Sequence, residues 1–277
     1  MCQDCGSPSR RTFTRLLAAG AGLTVLAACT PEAPMAGTPS SSAPSAPPSP
    51  PAGPTAAPAT VTASSAPRPT KAASPHRRFS LTDPTSPWLV VNKHRPLAPA
   101  DFAPADLVRP AVASTASGEA ALLNSTTAAA AEAMFAAAAA DGIALVLASG
   151  YRSFAAQTAT YNGYVAARGQ ADADTASARP GYSEHQTGWA FDIADGGGAC
   201  GFQPCFADQP AAVWAKANGH RFGFVVRYPW MFHTITGYYY EPWHLRFVGV
   251  EAASDMAKKG VHTLEEYFGV GAAPGYA

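Results

Sequence analysis

Charge of either sign is scarce. The 277 residues carry 19 Lys and Arg against 19 Asp and Glu, and only 14% are charged. Nucleic-acid binding needs a surplus of cations facing phosphates, so this balance argues against it as a partner class. Long apolar runs are missing too: Leu16 to Ala28, the apolar stretch near the start, falls short of the ~20 residues that a bilayer-spanning helix needs. No aromatic residue stands between Thr30 and Arg78. A segment so composed cannot bury enough apolar surface to offset its chain entropy, which excludes a packed core there.

The N-terminus reads as an address. Ser9-Arg10-Arg11-Thr12-Phe13 precedes the apolar run in the manner of a twin-arginine export signal, and Leu26-Ala27-Ala28-Cys29 resembles a bacterial lipobox. On that reading residues 1–28 are an export signal. Cys29 then carries lipid and anchors the chain to the outer face of a bacterial cell membrane. Residues 29–85 follow as a Pro/Ala/Ser/Thr-rich tether that holds more than half of the chain's 26 prolines.

Of the five cysteines, Cys2 and Cys5 fall in the export signal and Cys29 is the lipidation site, so Cys200 and Cys205 remain as a pair. The glycine-rich segment from Asp195 to Cys205 is flexible enough to close them into a disulfide in an oxidising compartment. A metal site there would need further soft ligands, and none is near in sequence.

Residues 86–268 have the size of a single domain, with 269–277 as a C-terminal tail. Trp88 to Val91 and Leu107-Val108 are short apolar pieces among prolines, expected to form an arm on the domain surface. Thr127 to Ala140 is an alanine-rich helix stopped by Asp141-Gly142, and Ile143 to Ala148 a strand. Ser153 to Arg168 repeats apolar residues at helical spacing and stops at Gly169. Strands are expected over Trp189 to Ile193 and Gly223 to Arg227, with a helix from Ala211 to Gly219. The aromatic run Gly237 to Gly249 is a strand broken or bulged at Pro242. Helices and strands intermix with short connections, which gives an α+β fold: a small antiparallel sheet flanked by helices.

Two short segments concentrate metal-ligand chemistry. One is Ser183-Glu184-His185-Gln186-Thr187-Gly188-Trp189-Ala190-Phe191-Asp192, and the other is Glu241-Pro242-Trp243-His244. Two histidines and a carboxylate form a common catalytic zinc set that leaves one position for water. Glu241 is then the carboxylate placed to take that water's proton. Spacing alone leaves other readings open: a His185 that hydrogen-bonds in its loop, an Asp192 that ends a strand, and a Glu241 paired with Arg246.

The ordered set of motifs is more specific. Ser-x-His-x-x-Gly-x-Ala-x-Asp from Ser183 to Asp192, the downstream Glu241 to His244, Ser149-Gly150-Tyr151-Arg152-Ser153 with Gln157, and Arg227-Tyr228-Pro229 together resemble the VanY-type zinc D-alanyl-D-alanine carboxypeptidases. These peptidoglycan peptidases share the hedgehog/D-Ala-D-Ala-peptidase fold. The resemblance runs from about Val90 to Gly249. It implies that His185, Asp192 and His244 bind Zn2+ and that Glu241 is the general base and later acid. Arg152 would hold the substrate's carboxylate or oxyanion, with Gln157 and Ser183 hydrogen-bonding beside it. Trp243, by its own position between Glu241 and His244, is read as a pocket wall, with a core residue as the alternative. A carboxypeptidase must recognise a free carboxylate, and arginine's planar fork does so bidentately.

The function so implied is removal of the C-terminal D-alanine from peptidoglycan stem peptides. An L,D-carboxypeptidase or an endopeptidase on the same peptides is the alternative of the same chemistry, and a wall-binding module without turnover is the alternative of another class. A Cys–His hydrolase is disfavoured because two close cysteines outside the cell are oxidised.

Overall fold

The computed structural model describes residues 79–277. In chain order its elements are β1 (Leu107–Val108), β2 (Leu123–Asn124), α1 (Ser125–Ala140), β3 (Leu145–Ser149), α2 (Phe154–Arg168), α3 (Gln170–Ala176) and β4 (Ala190–Asp195). There follow α4 (Pro210–Asn218), β5 (Phe224–Tyr228), α5 (His233–Thr236), β6 (Glu241–Phe247), α6 (Val250–Lys259) and α7 (Leu264–Phe268). No helix among the described residues is long and apolar enough to cross a membrane.

Strands β3, β4, β6 and β5 lie in that order in one antiparallel sheet, and β1 pairs with β2 beside it. This is the α+β arrangement that the sequence pattern implies. Alternation along the strands separates two faces. Leu145, Leu147, Phe191, Ile193, Phe224, Leu245 and Phe247 point into the main core, where α1 contributes Met134 and Phe135 and α4 contributes Trp214. The residues between them, Asp192, Arg227, His244 and Arg246, are just as buried but polar or charged. Beside that second face a smaller cluster joins Val90, Val248, Met256, Leu264 and Phe268.

The two longest helices start at side-chain caps. Asn124 accepts from the backbone N–H of Thr126 and Thr127 at the start of α1, and Ser153 accepts from Ala156 at the start of α2. Helices α3, α5, α6 and α7 were not marked by the sequence pattern. The first is a short polar segment, Gln-Ala-Asp-Ala-Asp-Thr-Ala; α6 buries only Ala252, Ala253 and Met256.

Both expected boundaries of the domain move outward. Ahead of Ser86, Leu81 packs on the smaller cluster, and its carbonyl accepts from Arg95 at 2.8 Å. The Pro84 carbonyl accepts from the Trp189 indole at 3.1 Å. Beyond Phe268, Ala273 is buried, and the Tyr276 hydroxyl accepts from the Arg179 backbone at 2.8 Å. Segments 79–85 and 269–277 are therefore part of the fold rather than tether and tail. The arm is likewise deeper than a surface arm: Leu89, Val90 and Val91 are all buried. The export signal, Cys29 and the rest of the tether lie outside the described residues.

Candidate metal centre and cleft

Strand register builds the centre. Asp192 on β4 stands directly opposite His244 on β6, and Asp192 Oδ1 lies 3.1 Å from His244 Nδ1. The pairings on either side carry irregularities at this point. The β3–β4 pairing slips between Leu147 and Ser149, and the β5–β6 pairing slips between Val226 and Tyr228, opposite Pro242 to His244. Bulges re-aim side chains, and these lie beside Asp192 and between Glu241 and His244, as the proline in the aromatic run implied.

His185 enters from a short 3-10 turn, Glu184–Thr187, that leads towards β4. The turn ends at Gly188, whose φ is +68° and where a Cβ would stand 2.7 Å from the Asn124 nitrogen. A side chain cannot occupy that position. His185 Nδ1 lies 2.7 Å from the carbonyl oxygen of Gly150. A carbonyl only accepts, so Nδ1 carries the proton and Nε2 turns its lone pair inward. There it lies 3.3 Å from Asp192 Oδ2. One ligand atom from each of His185, Asp192 and His244 falls within 4.8 Å of the others, and all three residues are buried.

A charged network backs His244. Its Nε2 lies 3.4 Å from Glu184 Oε2, and Glu184 Oε1 accepts from Arg227 Nε at 2.8 Å and Arg246 Nη1 at 3.0 Å. Arg227 in turn forks onto Glu265 at 2.9 and 2.8 Å, which also accepts from the Asn92 amide at 3.0 Å. Two arginines thus offset two glutamates in the interior, as buried charges require. Arg246 belongs to this network, and its ion-pair partner is Glu184. The sequence reading gave Glu184 no such role. Its arginine partners lie 43 and 62 residues away, and only the fold brings them together.

The electrostatics follow from burial and these pairs. Burial works against the charge on Glu184, but Arg227 and Arg246 hold its carboxyl well below the usual range. Burial likewise opposes charge on Asp192, and His185 and His244 more than reverse it. The His185 imidazole is pushed down chiefly by burial. His244 is raised to about 9, because Asp192 and Glu184 outweigh its desolvation. Glu241 is raised to about 7, first by burial and then by the negative charges of Asp192 and Glu184. Its Oε2 is 3.8 Å from His244 Nδ1.

A cleft of about 500 Å³ opens onto this centre, lined among others by Arg152, Ser183, Glu241, Trp243, Phe202 and Tyr239. Arg152 donates from Nη1 to Gln157 Oε1 at 3.0 Å and from Nη2 to Ser149 Oγ at 3.4 Å. Gln157 itself is fully buried, and its amide nitrogen donates to Ser177 Oγ and to the Ala178 carbonyl. Gln157 is thus held behind Arg152, and it is not among the residues that line the cleft; the resemblance implied a direct substrate contact there. Cys200 and Cys205 are joined by a disulfide.

The donor set fits a divalent metal. Two imidazoles and a carboxylate converge on one point, their far sides are fixed by Gly150 and Glu184, and the anionic surroundings hold a proton on His244 where a cation would take its place.

Comparison with known proteins places the chain. A family model described as VanY, D-alanyl-D-alanine carboxypeptidase, matches residues 120–250. YodJ of Bacillus subtilis (strain 168), whose carboxypeptidase name is provisional, is 37% identical over 191 residues, or 68% of this chain and 69% of that protein. The chain belongs to the VanY carboxypeptidase family. This VanY-family chain is also 43% identical over 144 residues to the D-alanyl-D-alanine carboxypeptidase of Enterococcus faecalis, across 48% of itself and 51% of that enzyme. Among solved structures it resembles the LdcB LD-carboxypeptidase, with 38% identity and a TM-score of 0.61 over 65% of this chain and 84% of that one. It also resembles a VanY D,D-pentapeptidase variant in complex with Zn(II), with 33% identity and a TM-score of 0.55 over 65% of this chain and 98% of that one.

Proposed function

We propose that the protein is a zinc-dependent D,D-carboxypeptidase that removes the C-terminal D-alanine from peptidoglycan stem peptides. The observation that carries this reading is the convergence of His185, Asp192 and His244 within 4.8 Å in a cleft that also holds Glu241 and Arg152. Zinc bound by those three residues supplies a Lewis acid that acidifies water and polarises a carbonyl.

The chain's own residues do the rest. Arg152 binds the terminal carboxylate, its fork held by Gln157 and Ser149. Glu241, whose Oε2 lies 3.8 Å from the ligand His244, takes the proton of the attacking water. It returns that proton to the leaving amide nitrogen as the carbon–nitrogen bond breaks, which releases D-alanine as a free amine. Ser183 and Trp243 line the path of the peptide.

The lipobox residues ending at Cys29 and the extracellular habit of disulfides such as Cys200–Cys205 support an export reading. On it the enzyme works on the outer face of the cell membrane, tethered through a lipid on Cys29.

The likeness to the LdcB LD-carboxypeptidase favours L,D-cleavage as the second reading. One assay separates the two: purified protein, with and without chelator, is given defined penta- and tetrapeptide stems and the released amino acid is identified. The proposal expects D-alanine from the pentapeptide, lost with chelator and restored by zinc. Release from the tetrapeptide alone would make the enzyme an L,D-carboxypeptidase, and binding with no release would make it a wall-binding module.

A further inference from the structure

The loop that follows β4 runs from Gly196 to Gln203 and carries a backbone anomaly. Cys200 and Phe202 have φ of +56° and +53°, a region that is costly for any residue with a side chain. Such backbone persists only where the surroundings over-determine it. Here Cys200 is bonded to Cys205 and packs against the main core, while Phe206 just beyond is wholly buried.

Pinned at both ends, the loop lifts Phe202 out of the core. The ring is 51% exposed, yet it lines the cleft together with Gln203 and Pro204. It meets Trp243 edge-on at 5.9 Å between centroids, and Trp243 lies between Glu241 and His244 in β6. The fold gains little from a large apolar ring held half in water, whereas a peptide entering the cleft gains a wall beside the reacting groups.

We propose that Phe202 is a substrate-positioning residue: its ring packs on the alkyl and backbone surface of the bound stem peptide, and the Cys200–Cys205 bridge sets the peptide's affinity by holding that ring in place. The choice of ligand rests on the proposed function.

Binding without turnover tests it. In the zinc-loaded full chain carrying Glu241→Gln, synthetic stem penta- and tetrapeptides are titrated by calorimetry. Phe202→Ala is expected to weaken the bound stem by about tenfold, the order expected of one aromatic contact. Phe202→Tyr, which keeps the ring, is expected to bind like the parent. Replacing both Cys200 and Cys205 by Ser is expected to cost a similar factor and, added to Phe202→Ala, nothing more, because the bridge acts through the ring. Zinc content should equal the parent's throughout.

Parent affinity in Phe202→Ala would overturn the proposal. So would a bridge effect of equal size with and without the ring. Turnover by the unsubstituted chain is read separately: peptide bound through Phe202 with no D-alanine ever released would sink the proposed function and leave this inference standing.

Discussion

Asp192 and His244 face one another across neighbouring strands, with carboxylate and imidazole 3.1 Å apart. Because side chains alternate along a strand, the register that pairs these two also sends Phe191 and Leu245 into the core. A slip of one residue would turn the ligands in among aromatic rings and the core residues towards the buried charges of the other face. Packing of the sheet therefore specifies the metal centre.

Glu184 is expected to govern metal affinity without taking part in proton transfer. Its carboxylate fixes His244 through Nε2 and neutralises Arg227 and Arg246. Glu184→Gln should weaken zinc binding by about 10- to 100-fold in competition with a chromophoric chelator. It should also lower unfolding stability by about 3 to 5 kcal/mol, because buried arginine charge loses its partner. Unchanged zinc affinity with lost turnover would make Glu184 a catalytic carboxylate instead.

The outward-shifted boundary is testable by truncation. A chain starting at Ser86 lacks the Leu81 packing and the carbonyls that serve Arg95 and Trp189. It should be less stable than one starting at Phe79 by about 2 to 4 kcal/mol in denaturant unfolding. Equal midpoints would restore Ser86 as the start of the folded domain.

Arg152 is expected to act on the substrate's terminal carboxylate. Arg152→Ala should reduce kcat/KM for a stem peptide by about 100-fold, since it removes one partner of a desolvated charge pair. A peptide ending in a carboxamide should be a poor substrate for both proteins, with little difference between them. A similar loss on both peptides would assign Arg152 to the oxyanion rather than the carboxylate.

The sequence revealed the central features where the signal was local. Helices α1, α2 and α4 and all four strands of the main sheet announce themselves by period, caps and stops, and the bulge near Glu241 follows from Pro242. His185, Asp192, Glu241 and His244 stood out because two short segments concentrate metal-ligand residue types and the ordered motifs resemble the VanY-type carboxypeptidases. What stayed hidden is non-local. Glu184 became part of the centre through Arg227, Arg246 and Glu265, which the sheet's second face gathers. Segments 79–85 and 269–277 looked like tether and tail because the partners that hold them are not local. Their anchors, Trp189 and Arg179, lie far off in sequence. The setting of Gln157 was hidden for a similar reason: Ser177 and the Ala178 carbonyl, supplied by the chain after α3, engage its amide nitrogen.

The central claim is a division of labour between Glu241 and the three ligands, and paired measurement of zinc content and turnover tests it most directly. Glu241→Gln keeps the side chain's size but cannot accept a proton, so turnover of a stem peptide should fall by about 10² to 10⁴-fold, with zinc still near one per chain. His244→Ala should lose both metal and activity, because two protein ligands hold zinc poorly. A Glu241→Gln protein that is empty of zinc, beside a His244→Ala protein that retains it, would contradict the account.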